Sequence, residues 1–326
     1  MKSLYQTVVL FSLIVAGFVL PHVLQFFGEE YFIGLASRML IYGIAATSLN
    51  FILGYGGMVS FGHAAFLGVG AYVAAILTVS GWSHALVIWP LAMLVSALLA
   101  LLIGGIVLRT KGVYFIMITL AFAQMLYFIT LSLRAYGGDE GMNTPRAYFP
   151  GLNLADDTHL YYLVFVLACV SVYLLHRVVE SRFGRALVAI SENESRMQAL
   201  GYKTTLLKLV AFVIAGAVAG LAGALLATQN SFVSPAIMHW TSSGLLLFMV
   251  ILGGIKNKLG GLIGAIVFFG LEDFAVNVHI EWLANFYPNY AQHSLLLVGV
   301  VLLAIVLVAP RGICGLFATG GRRVRG

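Results

Sequence analysis

The chain has 326 residues, of which 61% are hydrophobic and only 9% charged, with a mean hydropathy of +1.00. A water-soluble domain carries roughly a quarter of its residues as charges, so this composition excludes an ordinary soluble enzyme or binding module. The net charge of +6 at pH 7 does not call for nucleic acid, because basic loops in a membrane protein report orientation.

The unit of reading is then the membrane span, about twenty apolar residues for a hydrocarbon core of about 30 Å. Windows such as VVLFSLIVAGFVL (8–20), MLVSALLALLIGGIVL (93–108) and LLLVGVVLLAIVLVA (295–309) meet that standard. Lipid cannot hydrogen-bond a bare backbone, so each must be a helix. In chain order the predicted spans are 5–27, 32–53, 57–79, 85–108, 112–133, 160–177, 206–228, 239–255, 259–277 and 293–309. The expected fold is an all-α polytopic membrane protein of about ten transmembrane helices in a single domain, 1–326. The first apolar run exceeds a signal-peptide core and lacks a small-x-small cleavage site, so it reads as a retained helix. The eighth is interrupted by HWTSSG and is the candidate for a re-entrant or broken helix. Cys169 falls in a span and Cys314 in the tail, so neither a disulfide nor a metal site is expected.

Basic residues test the count. With both termini inside, fifteen of the eighteen Lys and Arg fall on the cytoplasmic side, only Arg134 and Arg146 lie outside, and Arg38 sits in a span. Seven of the twelve acids fall outside. A wrong count would invert every later loop and scramble this separation. The segment 134–159 then reads as a loop on the outer side of a multi-pass membrane protein.

Small residues recur at helical spacing. Gly216, Gly220 and Ala224 form one ridge of the seventh span and Ala219, Gly223 and Ala227 its neighbour, while Gly260 and Gly264 repeat the pattern in the ninth. Such ridges let helix backbones approach closely, which predicts tight packing within the bundle. Ionisable groups are scarce in the spans. Arg38 is expected to pair with an acid or to snorkel, and Glu272 and Asp273 to line the outer mouth of a pathway. No ionisable group stands near the midplane, which argues against an ion-coupled secondary carrier. Asn50, Ser60, His63, Thr119 and Gln124 are the polar candidates for a pathway, with helix–helix hydrogen bonds as the plainer role.

One segment breaks the apolar pattern. SRFGRALVAISENESRMQALG (181–201) gathers three arginines and two glutamates after the sixth span. Phe183, Leu187 and Ile190 share one face of a short helix, with Arg182 and Arg185 off that face. A capping box Ser191-x-x-Glu194 predicts a second short helix over Glu192 to Leu200, stopped by Gly201 at C′. An interfacial amphipathic loop is the bland alternative. A capped helical elbow of mixed charge, within a coupling loop 178–205, suits transmission of motion to a soluble partner. Arg182, Phe183, Arg185, Glu192, Glu194, Arg196, Leu200 and Gly201 are the expected contacts. The chain holds no G-x-x-x-x-G-K-[ST] motif, so nucleotide chemistry would belong to another polypeptide. No catalytic residue and no cofactor of its own are expected.

At this point the chain resembles the permease subunits of branched-chain amino acid ABC importers, of the LivM type. The likeness is carried by LNFILGYGGMVSFGHAAFLGVGAYVAAIL (49–77), RTKGVYFIMITLAFAQMLYF (109–128), GGDEGM (137–142), FGRALVAISENESRMQALGYKTTLLKLVAFVIAGAVAGLAGALLA (183–227), GGIKNKLGGLIGAIVFFGLEDF (253–274) and APRGICGLF (309–317). These run in order over nearly the whole chain after residue 30. The resemblance implies a ten-span, type II-like importer fold with spans 2–5 and 7–10 related by an inverted repeat. It makes residues 192–201 similar to the family's EAA-like loop, which sits in a cleft of the ATP-binding subunit. Paired alanines often follow the glutamates in the family, whereas Ser195 and Arg196 stand there in this chain, which alters the docking surface. The implied partners are a LivH-type permease subunit, two ABC ATPase subunits that use the ATP, and a periplasmic substrate-binding protein. The implied cargo is a branched-chain or hydrophobic amino acid, with urea or short amides as the alternative. An ion-coupled carrier and a channel-like protein are the rivals from other classes.

Overall fold

The computed structural model describes residues 15, 17–26, 28–277, 299–300, 302–305, 307, 309 and 312–318. The tenth predicted span, 293–309, and the first part of the first therefore lie largely outside the described residues.

The helices follow the apolar runs. They are α1 (Gly17–Phe26), α2 (Tyr31–Asn50), α3 (His63–Val79), α4 (Ala85–Val107), α5 (Val113–Ser132) and α6 (Asp157–Glu180). Then come α7 (Arg182–Glu192), α8 (Glu194–Ala199), α9 (Thr204–Asn230), α10 (Trp240–Gly253), α11 (Gly260–Asn277) and α12 (Ile313–Ala318). Among the described residues, five helices are long and apolar enough to cross a bilayer by themselves: α2 with its extension to Tyr55, α4, α5, α6 and α9.

Two predicted spans form short helices. The third, expected over 57–79, is helical only from His63, whereas the eighth, expected over 239–255, is helical over Trp240–Gly253 and runs unbroken through the TSSG expected to interrupt it. At 1.5 Å per residue, α3 and α10 reach roughly 26 and 21 Å, short of a hydrocarbon core of about 30 Å. Each is preceded by irregular backbone that the protein partly covers. Before α3, the helix α2 passes into a π-helical turn, Phe51–Tyr55, and then the strap Gly56–Gly62. Before α10 come strand β2 (Phe232–Val233) and a 3₁₀ turn, Pro235–Met238. Broken backbone at this depth is tolerated only under such cover.

The two hairpins are built alike and inverted. Each is a long helix, an irregular turn and a short helix; α2 ends, and α9 begins, at the end of the bundle that carries α7 and α8.

The centre is α9, packed on α2, α3 and α4. Its small-residue ridges divide the work. A Cβ on Gly220 would lie 2.5 Å from Ser96 Cβ and 2.9 Å from the Ala92 carbonyl of α4, and one on Gly223 would overlap the Leu67 carbonyl of α3. The glycines thus admit two neighbouring backbones on adjacent faces of one helix. Helix α11 fits α2 and α10 in the same manner, with Gly264 against the Met249 carbonyl.

At the far end, the segment 134–159 is ordered. Its strand β1 (Met142–Asn143) pairs antiparallel with β2, Met142 opposite Val233 and Asn143 opposite Phe232. Arg146 pins the loop by an ion pair to Asp157 at 2.8 Å and by donating to the carbonyls of Leu154 and Ala155 at 2.8 and 3.0 Å.

Candidate functional site

The elbow forms as two capped helices, but the cap between them differs from expectation. Helix α7 is opened by Ser181, whose Oγ accepts from the Gly184 amide at 3.2 Å. Gly184, Leu187 and Ile190 are buried, Phe183 is half-buried, and Arg182 and Arg185 point to solvent. The helix runs on through Ser191, whose hydroxyl donates back to the Val188 carbonyl at 2.7 Å. The predicted Ser191 capping box is therefore absent. Asn193 takes the role, with extended backbone and its Oδ1 accepting from the Arg196 amide at 2.9 Å. Asparagine caps as well as serine, and placing it there lets α7 run two residues further, to Glu192. The stop at Gly201 forms as expected, at φ +85°. Tyr202 N–H donates to the Met197 carbonyl at 3.1 Å and Gly201 N–H to that of Gln198 at 2.9 Å, the paired bonds of a Schellman motif.

Glu194 turns inward. Its carboxylate, 17% exposed, is held by Lys111 of the α4–α5 loop at 2.8 Å and by Lys208 of α9 at 2.9 Å. Burial pushes its pKa up, yet the hydrogen bonds from the two ammonium groups outweigh this and hold it below the ordinary glutamate value of 4.5. Glu194 is thus a tether rather than an outward contact. Arg182, Arg185, Glu192, Arg196 and Leu200 remain exposed. Leu200, Tyr202 and Leu206 present bare apolar surface, 67%, 49% and 55% exposed. Beside them runs an open groove of about 540 Å³ lined by Gln198, Tyr202, Lys203 and Leu206. A rigid base thus carries an exposed surface of mixed charge and apolar side chains.

The polar residues of the spans gather around the two breaks. Thr119 of α5 accepts from the Phe61 amide at 3.2 Å, and Ser60 from that of Gly62 at 3.2 Å. Ser243 of α10 accepts from the Ala64 amide at 3.0 Å. These hydroxyls satisfy amides that the unwound strap and the start of α3 would otherwise leave bare. His63, fully buried, lies with Nε2 2.7 Å from Ser48 Oγ, while its Nδ1 has no partner. Gln124 Nε2 is likewise buried without a partner. Asn50 is spent on the backbone: its Nδ2 donates to the Asn257 carbonyl at 2.9 Å and its Oδ1 accepts from the Lys256 amide at 3.2 Å. Its amide is committed to the α10–α11 loop, the plainer hydrogen-bonding role expected for it. Sequence reading missed Ser48, Ser243 and Tyr55 in this region; the SSG of HWTSSG and the paired glycines of GYGG were the available signals.

Glu272 and Asp273 stand apart from that cluster, at the far end of α11. Tyr31 donates to Asp273 Oδ1 at 3.3 Å. The Arg38 guanidinium lies 4.9 Å from the Phe269 ring centroid and 5.9 Å from that of Tyr42, a cation–π site on α2 and α11.

A family model described as the permease component of the branched-chain amino acid transport system matches residues 31–306. The chain belongs to that family. The matched range holds both broken hairpins and the elbow, and it makes the permease a multi-pass membrane protein. It is 28% identical over 309 residues to the high-affinity branched-chain amino acid transport system permease protein LivM of Salmonella typhimurium, covering 86% of this chain and 69% of the relative. A probable LivM of Methanocaldococcus jannaschii is 27% identical over 316 residues, 84% of this chain and 90% of the relative. The L-arabinose ABC transporter permease protein AraH of Azospirillum brasilense is 24% identical over 309 residues, 90% and 82% of the two chains. No solved structure matches the permease.

Proposed function

We propose that this permease is the membrane subunit of an ATP-driven importer for branched-chain or other hydrophobic amino acids, working by alternating access. The observation that carries the reading is the elbow: two capped helices, tied down by Glu194, whose outward surface stays exposed among the described residues. In this reading the elbow faces the cytoplasm, 134–159 faces the periplasm, and ten spans bring both termini inside the inner membrane. A LivH-type permease would complete the pathway, two ATPase subunits would bind the elbows, and a periplasmic protein would deliver the cargo. The chain performs no chemistry; ATP is split by its partners. Arg182, Arg185, Arg196, Glu192 and Leu200 form the docking surface, with Phe183 and Gly201 shaping it. Ser60, His63 and Thr119, at the break before α3, would line the pathway together with Gln124, and Glu272 and Asp273 would flank its outer mouth.

The likeness to a permease named for L-arabinose favours keeping open a second reading, a small polar cargo such as urea or a short amide. Proteoliposomes with the complete complex and a panel of radiolabelled leucine, valine, urea and acetamide separate the two. ATP-dependent leucine uptake supports the first reading, and uptake driven by an ion gradient without the ATPases would defeat both.

A further inference from the structure

We infer that Asn50 and Gly57 are positioning residues for the transport stroke, joining the elbow to the root of the second broken hairpin through the π-helical turn Phe51–Tyr55. This rests on the ATP-driven reading above. The joint begins at Ser191, in the last turn of α7. A Cβ on Gly57 would lie 3.2 Å from Ser191 Cβ, and Gly57 holds φ +67°. A side chain there would be both strained and in the way, so glycine lets the elbow rest directly on the strap. Next comes the π turn, with Phe51, Ile52 and Gly54 buried. Such turns hold one residue more than an α-helix needs, and they recur where a helix must shift register. Three hydrogen bonds then bind this turn to the α10–α11 loop: Asn50 to the Asn257 carbonyl at 2.9 Å, the Lys256 amide to Asn50 at 3.2 Å, and Tyr55 Oη to the Lys256 carbonyl at 2.7 Å. Gly54 completes the contact, since a Cβ on it would lie 2.9 Å from the Lys256 nitrogen. Lys256 itself is held at φ +67°, a conformation few non-glycine residues adopt.

A push on α7 therefore meets the strap at Gly57, and the strap cannot move without dragging or breaking the Asn50 clamp. The loop it grips roots both α10 and α11, while the other end of α10 reaches the start of α3 through Ser243 and Ala64. Motion at the elbow is thus delivered to both hairpins together.

The test uses the complete complex in proteoliposomes, reading substrate accumulated per ATP hydrolysed. Asn50→Ala and Gly57→Ala should assemble and hydrolyse ATP, with that ratio falling ~5-fold or more, the low end of ordinary coupling energies. Wild-type transport with unchanged ratios in both variants overturns the joint; a wild-type complex that hydrolyses ATP without transport overturns the parent reading instead. Should either variant fail to assemble, Tyr55→Phe replaces it, because it removes only the hydroxyl bound to the Lys256 carbonyl and adds no atom. A fall in the ratio supports the joint, and a wild-type ratio refutes it.

Discussion

Ser243 Oγ of α10 accepts a hydrogen bond from the Ala64 amide of α3 at 3.0 Å, and both residues are fully or almost fully buried. One short helix thus caps the other, and the two meet at their first turns. Removing the hydroxyl strands an amide in a dry site. Ser243→Ala is expected to cost about 1–3 kcal/mol, read as a lower midpoint in thermal unfolding of the detergent-solubilised protein. A midpoint equal to wild type would show that the α3 amide finds another partner.

The Glu194 tether is expected to weaken in acid. Its folded pKa is depressed, so its contribution is complete above the ordinary value of 4.5 and is lost as the pH falls below it. Limited proteolysis at the elbow should quicken over that range in the wild type and be fast and pH-independent in Glu194→Gln. In double-mutant cycles the Lys208 pair, with side chains 15% and 17% exposed, should couple by about 1 kcal/mol, and the pair with the 65% exposed Lys111 by less.

Two glycines separate packing from propensity. Gly223→Ala drives a methyl into the Leu67 carbonyl and should destabilise by about 1–3 kcal/mol. Gly105→Ala, where the added methyl meets nothing within 4 Å on the exposed side of α4, should stabilise by up to about 1 kcal/mol. Paired unfolding curves decide; equal shifts would mean that the ridge is not close-packed.

Leu200 is 67% exposed beside the elbow. Leu200→Glu should leave stability within about 0.5 kcal/mol while reducing co-purification of the ATPase subunits. Undiminished co-purification would move the docking surface elsewhere. Gly201→Ala is the contrasting change, since a side chain at φ +85° costs about 1–2 kcal/mol and should loosen α8 itself.

Much of this was legible in the chain before any coordinates. The spans, the elbow, its Gly201 stop and the two ridges of α9 rest on local periodicity and on residues whose chemistry permits few backbones. The cap was less legible. Ser191 and Asn193 are both good N-caps two residues apart, and the choice depends on how far α7 can extend over its buried face. The unwound start of the third span was missed because GMVSFG is apolar enough to pass as helix. Its Phe61 amide is satisfied by Thr119, 58 positions away, and the Ala64 amide in the first turn of α3 by Ser243, 179 positions away.

What the amino-acid sequence determined alone was that this chain lives in a bilayer, in many helices, with a charged elbow after the sixth. Those properties follow from hydropathy, period and charge, which are sums over near neighbours. Only the tertiary structure decided where the helices break, that Glu194 faces inward, and that Asn50 grips the α10–α11 loop. Each of these depends on which distant group supplies the missing hydrogen bond or counter-charge, and no local pattern carries that information.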